Sequence, residues 1–225
     1  MATDLTRRTL LGAAAAAAIL ATGAAGAQAV GAGFKIVGVS CSARKGKTTM
    51  AGLQACLDAA KEGNPGVEVE LIELAGLKIN PAVVAGVPLE AGEQDDFPKV
   101  QAKLADPRVA GIIIGTPVYF GSMSALCKAF LDRCFVFRRD FGLKNKVGGV
   151  LAVGGVRNGG QELTIQQVHA AMLAQDMIVV GCARPAGGAT LWNDGKDDIS
   201  SDEFGLATAK GLGKRVAEVA MRMTK

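Results

Sequence analysis

The apolar positions switch repeatedly between two periods. Phe34-Lys35-Ile36-Val37-Gly38-Val39 reads as a buried strand. Thr48 to Glu62 follows as a helix, with Met50, Leu53, Cys56, Leu57 and Ala60 on one stripe and Gly63-Asn64-Pro65-Gly66 as its stop. Val67 to Leu74 alternates like a strand with one wetter face. Residues 75–95 form a Gly/Pro-punctuated loop, and Phe97 to Ala105 predicts a short helix. Val109 to Gly115, VAGIIIG, is continuously apolar, as expected of a strand covered on both faces. Ser122 to Phe135 predicts a helix, Val147 to Val153 a strand, Gln161 to Ala174 a helix and Met177 to Gly181 a last short strand. A polar loop from Arg184 to Asp202 precedes a final helix, Glu203 to Met223. Five strands alternating with five helices predict an α/β fold, a parallel sheet with helices on both faces.

The first 29 residues stand outside this pattern. Thr6-Arg7-Arg8-Thr9-Leu10-Leu11 sets twin arginines before an apolar pair, and an alanine-rich run extends from Gly12 to Ala25. Ala27-Gln28-Ala29 then places small residues where a signal peptidase reads. The segment resembles a twin-arginine (Tat) signal cleaved after Ala29. The run falls short of the ~20 apolar residues of a membrane-spanning helix, which argues against a stable anchor. The expectation is one folded domain over residues 30–225, in the periplasm. Proteins exported by this route cross already folded, which favours a cofactor inserted beforehand.

Composition changes this picture little. The formal charge is only +4, and no lysine/arginine stripe is interleaved with aromatics, so nucleic-acid binding has no support. Thirty glycines without a collagen-like period suggest tight loops or close ligand approach. The cysteines Cys41, Cys56, Cys127, Cys134 and Cys182 are odd in number and lack a CxxC pair. Cys127 and Cys134 are ~10.5 Å apart along a helix, too far for a disulfide. Most of the five read as small core residues, and no metal-ligand spacing occurs. His169 has no His or carboxylate partner at i±4.

Ligands of open α/β sheets bind beyond the carboxyl ends of the strands. After the first strand comes Ser40-Cys41-Ser42-Ala43-Arg44-Lys45-Gly46-Lys47-Thr48-Thr49, with hydroxyls, cations and a helix N-terminus together. Those are the ingredients of a phosphate site. An ordinary helix start capped by Thr48 or Thr49 would not need three cations. Gly46-Lys47-Thr48 resembles the tail of an ATP-binding P-loop, but Cys41 occupies the glycine position four residues before Gly46. The later strands end in Gly115-Thr116-Pro117 and Gly154-Gly155, with no Asp to hold Mg²⁺. The dinucleotide pattern G-x-G-x-x-G is also missing after the first strand.

The strand ending at Gly115 is followed by Thr116-Pro117-Val118-Tyr119-Phe120-Gly121-Ser122, which could wall a flat ring or simply cap the core. The next strand is followed by Gly154-Gly155-Val156-Arg157-Asn158-Gly159-Gly160, glycines flanking a cation. Three permissive loops at neighbouring strand ends, one suited to phosphate, favour a phosphorylated planar ligand, with FMN the natural candidate.

At these residues the chain resembles a known family. VGVSCSARKGKTT, GIIIGTPVYFGSMSALCKAFLDRC and GGVRNGGQE are similar to the flavodoxin-fold NADPH-dependent FMN reductases, on the branch that includes the iron–sulfur flavoproteins. The resemblance implies a flavodoxin-like three-layer sandwich with a five-stranded parallel sheet in the order 2-1-3-4-5. It places FMN where the first and third strands diverge. Ser42, Arg44, Lys47, Thr48 and Thr49, with Ser40 at the strand end, would hold the phosphate. Pro117, Val118, Tyr119, Phe120 and Gly121 would line the ribityl chain and ring. Gly155, Arg157 and Gly159 would close the other side, with Arg157 near the pyrimidine end. The flavin would carry the chemistry, so no catalytic side chain and no metal is assigned. The chain departs from the iron–sulfur branch in having no cysteine between Ala75 and Gly92, so no cluster is expected. It also has Lys47 and Thr48 where that family commonly has Gly and Asn.

The implied activity is a flavin oxidoreductase with NAD(P)H, a quinone or a redox protein as electron partner, and a homodimer or homotetramer by resemblance. An exported protein meets no NADPH pool, so the alternative is an electron-transfer flavodoxin, or a flavin-binding protein, fed by a quinol or redox partner.

Overall fold

The computed structural model describes residues 33–182 and 187–224. The twin-arginine segment and Arg184 lie outside the described residues. The sheet is built from β1 (Phe34–Ser40), β2 (Val67–Glu73), β3 (Val109–Tyr119), β4 (Ser122–Met123), β5 (Val147–Gly154), β6 (Ile178–Val179) and β7 (Ala189–Trp192). The helices are α1 (Thr48–Gly63), α2 (Phe97–Leu104), α3 (Ala125–Arg133), α4 (Gln161–Leu173) and α5 (Glu203–Met223).

Parallel pairing runs β2-β1-β3-β5-β6. Leaving out the small hairpin strand β4, this is the expected 2-1-3-4-5 order. Successive side chains of a strand point to opposite faces, and the core divides accordingly. Val37, Val39, Ile112, Ile114, Val150 and Ala152 face α2, α3 and α4. Ile36, Ile113, Val147 and Leu151 face α1 and α5. All seven residues of β1 and all eight of β5 are buried, which is why these runs lack strand-like alternation.

Two boundaries differ from the sequence expectation. β3 continues through Pro117 to Tyr119 and turns back into β4, so the helix expected from Ser122 begins only at Ala125. Ser124 caps it by accepting a hydrogen bond from the Cys127 amide. The edge strand is also divided. β6 pairs only with Val147 and Gly148, while β7, inside the expected polar loop, pairs with β5 from Leu151↔Ala189 to Gly154↔Trp192. This second edge piece delivers Trp192 and the residues after it to the carboxyl end of β5.

Candidate functional site

The carboxyl ends of β1, β3 and β5 lie side by side, since β3 pairs with both of the others. After β1 the chain enters a tight loop. Ser42 is buried, and its hydroxyl accepts from the Arg44 amide at 3.1 Å. The Gly46 amide donates to Glu73 Oε1 at 2.6 Å, fastening the loop to the end of β2. Cys41 is fully buried in the core, and burial pushes its thiol pKa well up. Its carbonyl accepts from the Ser124 hydroxyl at 2.7 Å, joining the loop to the start of α3.

Thr48 and Thr49 are buried, and neither caps α1. The N-cap is Lys47, which provides no side-chain hydrogen bond. α3 and α5, by contrast, are capped by Ser124 and Asp202. The start of α1 therefore presents first-turn amides with no side-chain cap beside exposed Arg44 and Lys45 and half-buried Lys47. Ser40 Oγ, at the end of β1, is closed off from solvent and has no hydrogen-bond partner. Arg44 Nη1 and Lys47 Nζ both reach one carboxylate, Asp197, at 2.5 and 2.8 Å.

Beyond β3, Tyr119↔Ser122 closes a two-residue hairpin at Phe120 and Gly121, whose φ values are 50° and 71°. Two left-handed residues mark a type I′ turn, an unusual place for a phenylalanine. The Phe120 ring is fully exposed and walls nothing within the chain, and Tyr119 is half exposed. The hairpin is braced on α4, where Ser122 Oγ donates to Gln167 Oε1 at 2.8 Å. Gly160 comes so close that a Cβ there would lie 3.0 Å from Gly121 Cα. Pro117, Val118 and Gly121 are partly exposed along this edge.

After β5, Gln161 organises the third loop. It is buried, donates to the carbonyls of Val156 and Leu191 at 2.8 and 3.1 Å, and accepts from the Gly159 amide at 2.7 Å. Gly159 is needed inside the chain, because a Cβ there would meet the Val156 carbonyl at 2.9 Å. Gly155 is different, since a Cβ there would meet nothing within 4 Å. Arg157 pairs with buried Asp202 and lies within 5.6 and 5.4 Å of the Trp192 and Phe204 ring centres. Its Nη1 is shielded from solvent and has no hydrogen-bond partner. Asp202 also receives the amides of Trp192 and Gly205, both at 2.9 Å.

The structure thus gathers Ser40, Ser42, Arg44, Lys47, Thr48 and Thr49 into one loop-and-helix start, and sets the hairpin against the Gly155 to Gly160 loop. It does not turn the Phe120 side chain inward. Asp197, Asp202, Gln161 and Ser124 carry much of the architecture and were not singled out by sequence. Only the capping residues Ser124 and Asp202 had a local signal, a polar residue just before a helix. A groove of about 650 Å³ between α3 and α4, lined by Lys128, Phe135, Arg138 and Asp176, includes no residue of the first or third loop.

A parallel α/β sandwich with a cationic, hydroxyl-rich turn at its strand-divergence point defines a flavodoxin-like class of phosphate-ligand protein. Residues 34–190 match the family described as NADPH-dependent FMN reductase, and the chain belongs to that family of flavin oxidoreductases, whose cofactor is FMN. It is 42% identical over 198 residues to an iron–sulfur flavoprotein of Methanocaldococcus jannaschii, covering 85% of this chain and 100% of that one. It is 33% identical over 174 residues to an NAD(P)H dehydrogenase (quinone) of Trichlorobacter lovleyi, covering 70% of this chain and 79% of the relative. A WrbA-like flavodoxin structure from Agrobacterium tumefaciens superposes with a TM-score of 0.55 at 19% identity, covering 84% and 98% of the two chains, and supports the fold.

The residues present fit FMN. The orphaned Ser40 Oγ and Arg157 Nη1, the α1 start without a side-chain cap and the open space at Gly155 are all left over by the protein's own bonding. They do not fit an iron–sulfur cluster. Loop 75–92 holds no cysteine, Cys41, Cys56, Cys127 and Cys134 are buried, and no metal-ligating group of three or more His, Cys, Asp or Glu occurs among the described residues.

Proposed function

We propose that this chain is an FMN-dependent oxidoreductase of the NAD(P)H:FMN/quinone reductase type, with the flavin seated across the three loops. The carrying observation is the β1–α1 turn, where the helix start has no side-chain cap, Arg44 and Lys47 converge on one carboxylate and the Ser42 hydroxyl accepts from the Arg44 amide. In this reading the first-turn amides, Ser42, Thr48, Thr49 and the two cations bind the phosphate. The backbone of the Tyr119 to Ser122 hairpin and of Gly154 to Gly155 orients the ring edge. Arg157, whose Nη1 has no hydrogen-bond partner, would bring positive charge to the pyrimidine end, where it stabilises an anionic reduced ring. Bound FMN supplies hydride and electron transfer. No side chain need hold or move a proton.

A twin-arginine signal at residues 1–29 would place the folded, FMN-loaded protein in the periplasm. That location favours a second reading for the donor, namely a quinol or redox protein in place of NADPH. Stopped-flow reduction of the FMN-loaded protein by NADPH, NADH and a soluble quinol separates the two. Rapid reduction by NADPH supports the reductase reading. Reduction by quinol alone supports an electron carrier fed from the membrane. No flavin reduction by any of these donors would refute the oxidoreductase assignment.

A further inference from the structure

Asp197 takes the two cations of the phosphate loop in a way that resembles a phosphate. One carboxylate oxygen meets Arg44 Nη1 at 2.5 Å and the other meets Lys47 Nζ at 2.8 Å. Burial does not force this arrangement, because all three side chains are roughly half exposed. The backbone brings the carboxylate there. β7 pins Trp192 to Gly154, and the Asn193 amide continues to the Gly154 carbonyl at 3.1 Å. Asn193 then turns the chain, accepting the Lys196 amide at 2.8 Å on its carbonyl. Ile199 and Asp202 are buried and tie down the far end. Residues 193–201 therefore form a strap fixed at both ends, with Asp197 on its exposed crest. The hydrogen bond from Lys47, reinforced by Arg44, holds the Asp197 pKa below the usual carboxylate range, so it is charged at neutral pH.

We propose that Asp197 is an internal counter-anion that competes with the FMN phosphate for Arg44 and Lys47, and so sets the affinity of the site for phosphorylated over unphosphorylated flavin. The inference rests on the FMN reading above. A phosphate at the start of α1 presents oxygens to the same two cations. An ionised carboxylate already on them must give up part of its bonding, and the two anions repel at close range. The strap holds Asp197 nearby, so the competition persists after the flavin has bound. The same strap runs into Asp202, which engages Arg157, so one stretch of chain answers the positive charge at both ends of the proposed ligand.

The test compares wild type, Asp197→Asn, Asp197→Ser and Asp197→Glu in flavin-free form, titrated separately with FMN and riboflavin by flavin fluorescence quenching. Circular dichroism checks that each variant is folded. Exposed ion pairs are weak, so removing two should tighten FMN binding by about three- to tenfold in the Asn and Ser variants. Riboflavin, lacking the phosphate, should bind all four proteins alike, and Asp197→Glu should stay near wild type. Unchanged or weaker FMN binding in both Asn and Ser variants would overturn the proposal and make Asp197 a support for the cations. Equal tightening for riboflavin would overturn it too. If the wild type binds neither flavin, the FMN reading fails first, and the inference falls with it.

Discussion

The loop after β1 and the loop after β2 leave adjacent parallel strands at the same end of the sheet, yet they handle charge in opposite ways. Between β2 and α2, the buried guanidinium of Arg133, reaching in from the end of α3, grips Asp95 with two bonds, at 2.9 and 2.7 Å. It also donates to the Asn80 carbonyl at 3.0 Å and lies over the Phe97 ring. Asp96 is buried and accepts from the Lys78 amide, Gln94 and Lys99. The Asp95 and Asp96 carboxylates of that loop are both answered from within the protein. Between β1 and α1, Ser40 Oγ has no partner, the helix has no side-chain cap, and the cations rest on one exposed carboxylate. A polar loop that satisfies itself is architecture. One that leaves donors and cations over is prepared for an anion. Loop 75–92 holds no cysteine, and Arg133 fastens it through the Asn80 carbonyl.

The largest expected effect lies in the self-satisfied loop. Arg133→Met should cost about 3–5 kcal/mol, because it strands the Asp95 charge in a nearly closed site. Urea unfolding measures this, and FMN affinity should hardly move. A cost under about 1 kcal/mol would erase the contrast between the loops. The open loop should behave conversely. Lys47→Ala should weaken FMN binding by about tenfold or more, the value of a charge-assisted hydrogen bond, and leave the urea midpoint nearly unchanged. Riboflavin binding, unaffected by the substitution, would show that the loss is at the phosphate. A large drop in stability would mean that Lys47 is structural after all.

The smallest effect sharpens the same comparison through pH. The hydrogen bonds from Arg133 hold the Asp95 pKa below its ordinary value. A depressed carboxylate pKa contributes stability above the unfolded value of about 4 and loses it as pH falls through the folded value. The melting temperature should therefore drop from about pH 4 downward. Asp95→Asn, already lower at neutral pH, should show a shallower acid decline, by about 2–4 °C. Equal acid slopes in both proteins would mean that the pair is not maintained in solution.

Much of this was legible in the sequence because its signals are local. Continuous apolar runs gave β1, β3 and β5, Gly63 marked the end of α1, and the cation-rich turn from Ser42 to Thr49 pointed to a phosphate site. What escaped depends on distant partners. Arg44 meets Asp197 across 153 positions, and nothing in Asn193-Asp194-Gly195-Lys196-Asp197-Asp198 distinguishes that carboxylate from its neighbours. β7 is four residues long and draws its stability from pairing with β5, so it read as loop. Phe120 suggested a ring wall by composition, but a turn with positive φ at both central positions sends its side chain outward. The partner of Arg157, the buried Asp202, lies 45 positions away, beyond β7.

The central claim is that the three strand-end loops form one FMN seat. The most direct measurement is the visible absorption spectrum and flavin content of the purified protein before and after FMN is added. The account predicts flavin absorbance in the visible with about one FMN per chain, retained on gel filtration and released as intact FMN on denaturation. A colourless protein that gains no absorbance after incubation with FMN would contradict it.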